Sequence, residues 1–224
     1  MARKRSPHGL RLAGKLAAYG LAALLVALAA VQGWYFAHVW WWRGHEPAST
    51  TFMQARLESL RAKDPSAKLS HRWVAYERMS PHLKRAVVAA EDAKFVGHEG
   101  FDWEAIQKAI ERNEREGKVV AGASTISQQL AKNLFLSGER SWPRKAQEAA
   151  ITWMLETALS KRRILELYLN YAEWGEGVFG AEAAAQAHFG QPAQVVLPLT
   201  LLIPAQVVQD VPGVQSGRVA IIEH

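Results

Sequence analysis

From Leu16 to Trp42 the chain runs without a single Lys, Arg, Asp or Glu. About 20 apolar residues in a helix cross a bilayer core of roughly 30 Å, so this stretch is long enough to span, with some tilt. Its centre, LAALLVALAAV (Leu21 to Val31), reads equally as a buried helix by composition. The flanks decide for the membrane. Basic residues end at Lys15, and Trp34, Tyr35, Phe36, Trp40, Trp41 and Trp42 crowd the far end, where interfacial rings are favoured. Arg3, Lys4, Arg5, Arg11 and Lys15 place the amino end in the cytoplasm and everything after Arg43 outside. The rival is a cleaved signal peptide, given Ala29 and Ala30, but the apolar run continues past a usual signal core.

The same basic tail carries most of the net charge of +6, and without it the remainder is close to neutral. A nucleic-acid partner therefore has little electrostatic support. With no cysteine, thiol catalysis, disulfides and Cys-ligated metals are excluded. The expected organisation is a cytoplasmic basic tail at 1–15, a transmembrane helix at 16–42, a connector and entry segment at 43–80 and a mostly helical body at 81–224, atypical from about 191. Beyond the anchor the pattern predicts a mainly α fold. Ser80-Pro81 marks one helix start and Asp102 another, with Arg112 to Lys118 as a charged loop. Ser124 is a candidate cap for the next helix, Pro143 opens the longest one, and Lys161 to Leu169 and Ala181 to Ala187 continue the series. Trp73, Val74 and Tyr76 suggest a short extended stretch. No βαβ alternation is visible, which argues against a dinucleotide fold.

Three places can hold chemistry. Glu91, Asp92 and Glu99 flank the glycine-interrupted end of a helix, where a partly desolvated carboxylate suits proton transfer; composition alone does not choose among them. Gly122, Ser124, Thr125, Gln128, Gln129 and Lys132 set hydroxyls, amides and one cation along a helix start, fit for an anion or a sugar. Arg140, Arg144 and Lys145 beside Glu148 form a basic cluster suited to pyrophosphate. Each reads alternatively as an exposed acid, a capped amphipathic helix and a surface ion pair. His98, His188 and His224 show no metal-ligand spacing and read as structural or surface residues.

Four strings in order carry a resemblance: EDAKFVGHEGFDW from Glu91, GASTISQQLAKNLF from Gly122, RKAQEAAITWMLE from Arg144 and KRRILELYLNYAEWGEGVFGAEAAA from Lys161. The chain resembles the glycosyltransferases that polymerise peptidoglycan from lipid II, most closely the monofunctional, membrane-anchored type without a transpeptidase domain. The resemblance implies a lysozyme-like, bilobal, mainly α-helical domain behind one transmembrane helix, with a small membrane-embedded jaw. It implies Glu91 as general base and Glu148 as a second functional carboxylate at the donor pyrophosphate. Ser124, Gln128, Gln129, Lys132, Arg140 and Arg144 fall at matching positions around the donor groove, and Glu156, Tyr168 and Asn170 at more structural ones. The implied partners are lipid II, the growing lipid-linked glycan, membrane lipid, and cell-wall synthesis or division proteins. No cofactor is required and no protein metal site is implied, although similar enzymes respond to Mg²⁺ or Mn²⁺. The implied location is the bacterial inner membrane, single-pass, with the catalytic domain periplasmic. Phe52 and Met53 are candidates for holding the small lobe to lipid.

After His188 to Gly190 the sequence departs from the family pattern. Pro192, Pro198, Pro204 and Pro212 interrupt a would-be helix, and the Leu-Pro-Asn-Pro-like string is absent. Two other readings stay open: a lysozyme-like glycan-cleaving enzyme, and a membrane-anchored cell-wall scaffold without catalysis.

Overall fold

The computed structural model describes residues 7–120, 122–137 and 141–195, with side chains described from Gly14 onward. The prolines at 198, 204 and 212 and the histidine at 224 lie outside the described residues. The chain opens with one long helix, α1 (Pro7–Trp41), whose apolar span is Gly14–Trp41. Among the described residues seven further helices follow: α2 (Thr51–Arg61), α3 (Pro81–Glu91), α4 (Trp103–Glu116), α5 (Ile126–Phe135), α6 (Trp142–Ala158), α7 (Lys161–Tyr171) and α8 (Ala181–Phe189). A three-stranded sheet orders β1 (Ser70–His71), β3 (Val178–Phe179) and β2 (Glu173–Gly175), with β1 parallel and β2 antiparallel to β3. The fold is mainly α-helical behind one N-terminal apolar helix.

Local chemistry explains most of these boundaries. Ser80 accepts from the His82 N–H with Pro81 at the first helical position, and Asp102 accepts from the Ala105 N–H at 2.9 Å. At α5 the cap is Thr125, one residue beyond the expected Ser124. Thr125 and Gln128 close a reciprocal capping box, and the Thr125 hydroxyl also donates to the Gly100 carbonyl at 2.7 Å. The expected charged loop at Arg112–Lys118 is instead the last turn and a half of α4, which stops only at Gly117 in the left-handed region (φ 63°). The extended stretch falls at Ser70–His71, earlier than expected, while Tyr76 opens a 3₁₀ turn. These strands are two or three residues long, too short for alternation to reveal them.

α5 is the centre of the body. It packs against α2, α6 and α7, and Ile126, Leu130 and Leu134 meet a core that includes Ile151, Leu155, Ile164 and Leu167. A helix covered on several sides cannot move without its neighbours, so groups fixed to α5 inherit its rigidity. Gly180 allows α7 and β3 to close up: at φ 84° a Cβ there would lie 2.6 Å from the Asn170 carbonyl oxygen. Met53 is buried and Phe52 packs edge-on to Phe179 with ring centres 6.0 Å apart, so this pair belongs to the core rather than to a lipid-facing surface. The exposed large apolar side chains of the body lie elsewhere: Val96, Trp103, Ile110 and Val119 on and around α4, Trp142 and Trp153 on α6, and Val195.

Candidate active site

Glu91 is the last residue of α3 and is exposed, not partly buried as its position suggested. Gln129, on the first turn and a half of α5, donates from Nε2 to Glu91 Oε2 at 2.9 Å and lies 3.4 Å from the Ser124 carbonyl. The amide is itself oriented from behind, because the Tyr168 hydroxyl of α7 donates to Gln129 Oε1 at 3.1 Å. Burial, reinforced by the charges of Glu91 and Asp92, pushes the Tyr168 phenol well above its ordinary range, so it stays a donor at any working pH. A rigid helix, a neutral amide and a buried phenol thus hold one carboxylate oxygen while the rest of the group faces solvent.

The structure also separates Glu91 from the neighbours that sequence could not rank. Asp92 is buried, and its oxygens accept from His98 Nε2 (2.9 and 3.0 Å) and from the Ile126 N–H (3.0 Å) at the start of α5. The Gly100 N–H donates to His98 Nδ1 at 3.1 Å, which fixes the Nε2–H tautomer and makes His98 a structural residue. Asp92 is therefore committed internally, pinning the loop after α3 to α5. Glu99 is exposed.

A second group forms on α6. Glu148 is only 4% exposed, although ionisable, and is met by two cations of its own helix: Lys145 Nζ on Oε1, and Arg144 Nη1 at 3.7 Å from Oε2. A buried carboxylate requires such partners. Arg144 also keeps a buried Nε–H with no acceptor among the described residues. Lys132, half-buried on α5, sits with Nζ 6.0 Å over the Phe52 ring. Ser124 is exposed, and Gln128 is buried with its amide in the capping box, so it shapes the start of α5 from inside. Arg140 lies outside the described residues. The two groups are thus distinct, one around Gln129 and one around Glu148, and α5 is the element to which both are tied.

Sequence reasoning missed the orienting role of Tyr168 and the internal commitment of Asp92. The string YLNYAEWG offers two tyrosines, Tyr168 and Tyr171, both buried, and nothing local shows that the first of them reaches α5. An open cavity of about 340 Å³ borders this region, lined by Lys94, Val96, His98, Phe101 and Trp103 among others, and contains neither Glu91 nor Glu148. Among the described residues no three His, Asp or Glu side chains converge as a metal cage. Glu91 and Glu148 each already have amide or cationic partners.

Comparison with known proteins gives this geometry a family. The transglycosylase family profile matches residues 57–206, running beyond Gly190, where the sequence pattern departs. A biosynthetic peptidoglycan transglycosylase of Azoarcus sp. (strain BH72) is 63% identical over 179 residues, covering 79% of this chain and 78% of the relative. Those of Methylobacillus flagellatus and Herminiimonas arsenicoxydans are 62% and 58% identical over 170 residues, covering 76% of this chain and 74% and 73% of the relatives. The chain is an enzyme of the biosynthetic peptidoglycan transglycosylase family.

Proposed function

We propose that the enzyme polymerises glycan chains from lipid II by an inverting transfer that forms β-1,4 linkages. The observation that carries this reading is the contrast between its two carboxylates. Glu91 is exposed and held by a neutral amide, the condition for a base that must meet a sugar hydroxyl. Glu148 is buried between Arg144 and Lys145, the condition for a group that arranges cations rather than moves protons.

In this mechanism Glu91 takes the proton of the 4-hydroxyl of the acceptor N-acetylglucosamine. The freed oxygen attacks C1 of the donor N-acetylmuramic acid from the face opposite its pyrophosphate. The C1–O bond breaks, undecaprenyl pyrophosphate leaves with the electron pair, and the α-linked donor becomes a β-linked unit. The leaving group needs fixed positive charge more than a proton donor, which is the task of Lys132, Arg140 and Arg144, with Glu148 holding Arg144 and Lys145 in place. Ser124 and Gln129 border the carboxylate from the loop and first turn of α5. Gln128 shapes that turn from within. A divalent cation bound to the pyrophosphate would share the task of Lys132, Arg140 and Arg144.

The body is read as bilobal and lysozyme-like, with α4 as the small jaw. The support is that α4 has no buried residue while Trp103 and Ile110 stand exposed on it. Basic residues before the uncharged run of α1 and aromatics at the far end of that run support a single pass with the catalytic domain periplasmic, facing the lipid-linked substrate. Purified protein given lipid II tests the reading. Polymer formation that Glu91→Gln abolishes with the fold intact is the expected result; near-normal product from folded Glu91→Gln refutes the assignment. Loss of preformed glycan would identify a cleaving enzyme, and binding with neither reaction a scaffold.

A further inference from the structure

α1 changes character at one residue. From Gly14 to Val31 every side chain is exposed. From Gln32 onward one stripe is covered: Gln32, Tyr35, Phe36, His38, Val39 and Trp42, with Val39 fully buried. These positions recur at helical intervals, so a single face of α1 lies against the body, chiefly α6. The uncovered part is about 18 residues, or about 27 Å at 1.5 Å per residue, close to the roughly 30 Å of a hydrocarbon core. The length left bare is the length a bilayer would cover.

At the boundary stands a polar contact. Gln32 Nε2 donates to Gln147 Oε1 at 2.8 Å and Gln147 Nε2 donates back to Gln32 Oε1 at 3.1 Å. Above it Phe135, the last residue of α5, receives the rings of Tyr35 (5.1 Å) and Trp42 (4.9 Å). Higher still, Arg163 of α7 donates to the carbonyls of Trp42 (2.8 Å) and His45 (2.5 Å), and the Tyr171 hydroxyl donates to that of Pro47. The exit from the anchor is therefore clamped to α5, α6 and α7, not left as a tether. Gln147 is adjacent in sequence to Glu148 and lies one turn from Arg144, so whatever fixes Gln147 fixes α6 where those groups stand.

We propose that α1 is a rigid mast and that the Gln32–Gln147 pair sets the height and facing of the catalytic body at the outer edge of the hydrocarbon core. An amide at this depth has no water to turn to, so its partner defines where the helix stops sliding or rotating. Gln32 and Gln147 are then positioning residues for capture of a substrate confined to the membrane plane. This role rests on the lipid II reading; the docking itself does not.

The chain has no cysteine, so introduced thiols are unique. In native membranes, Gln32→Cys with Gln147→Cys is expected to cross-link with a short bis-methanethiosulfonate. Leu25→Cys with Gln147→Cys, two turns lower on the same face of α1, is expected not to. Equal cross-linking of both pairs, or of neither, overturns the docking whatever the enzyme's activity. Gln32→Leu and Gln147→Leu are each expected to raise KM for lipid II in vesicles about 3- to 20-fold, with kcat retained, and the double variant to lose no more than either single. In detergent, where no bilayer plane sets the height, the effect disappears. A loss of the same size in detergent, or unchanged KM in vesicles, refutes the positioning role. If the unaltered protein makes no polymer, the lipid II reading fails while the cross-linking result still stands.

Discussion

Tyr168→Phe removes one oxygen from the interior and tests whether Gln129 is oriented from behind. The hydroxyl is 3.1 Å from Gln129 Oε1 and Tyr168 is only 5% exposed, so the variant leaves an amide oxygen facing a dry wall. An unsatisfied buried acceptor costs about 1–3 kcal/mol. Gln129 is half-buried and can escape part of that by swinging toward solvent, but doing so gives up its 2.9 Å bond to Glu91. The expected loss is therefore about 1–2 kcal/mol of active-site order, or about 5- to 30-fold in polymerisation rate. Packing should change little, because the ring is retained. The assay is initial rate of glycan formation from lipid II, with thermal unfolding run in parallel, for Tyr168→Phe, Gln129→Leu and the double variant. Because the hydroxyl acts only through the amide, Tyr168→Phe should be silent when Gln129 is already Leu. Additive losses, or full activity in the single variant, would refute this chain of contacts.

Gly180→Ala should destabilise by about 3 kcal/mol or more, since it combines a positive φ with a Cβ driven against the Asn170 carbonyl, and chemical denaturation measures it. Asp92→Asn keeps the volume but turns an acceptor-only group into one that also donates, opposite the His98 and Ile126 N–H groups. It should cost about 2–3 kcal/mol by the same measurement. His71 stacks on Tyr171 and lies 3.1 Å from the Asn170 carbonyl through Nε2, and burial holds its ring below the usual histidine range. As pH falls below about 6.5 the unfolded chain takes up this proton before the folded one, so stability should fall with acidification. A thermal midpoint compared at pH 7.5 and 5.5 should show a smaller drop for His71→Phe than for the unaltered protein.

The parts of the fold that sequence disclosed are those whose cause is local. Ser80, Asp102 and Pro143 act within their own turn, and the uncharged run from Leu16 needs only its length. The parts it did not disclose have distant causes. Thr125 rather than Ser124 caps α5 because Gly100, 25 residues away, offers a carbonyl to its hydroxyl. Glu91 differs from Asp92 because α3 ends between them, turning one outward and the other toward His98 and α5. Phe52 and Met53 looked like lipid contacts for the same reason: hydrophobicity is a property of the residue, whereas the surface it meets is a property of the fold.

These contacts tie the proposed catalytic carboxylate and the N-terminal apolar helix to the same element. α5 receives Glu91 through Gln129 at its first turns, supplies Lys132 in its middle and seats the anchor rings on Phe135 at its end. A ten-residue helix rises about 15 Å, so the proposed proton acceptor, one cation for the leaving group and the membrane fixture are spaced by one rigid rod. A lipid-linked donor offers its pyrophosphate at a constant height above the bilayer, and the reacting sugar carbon lies next to it. An enzyme whose cleft rode on a flexible tether would have to find that height at each addition. One whose cleft and anchor share a buried helix needs to find it only when it folds.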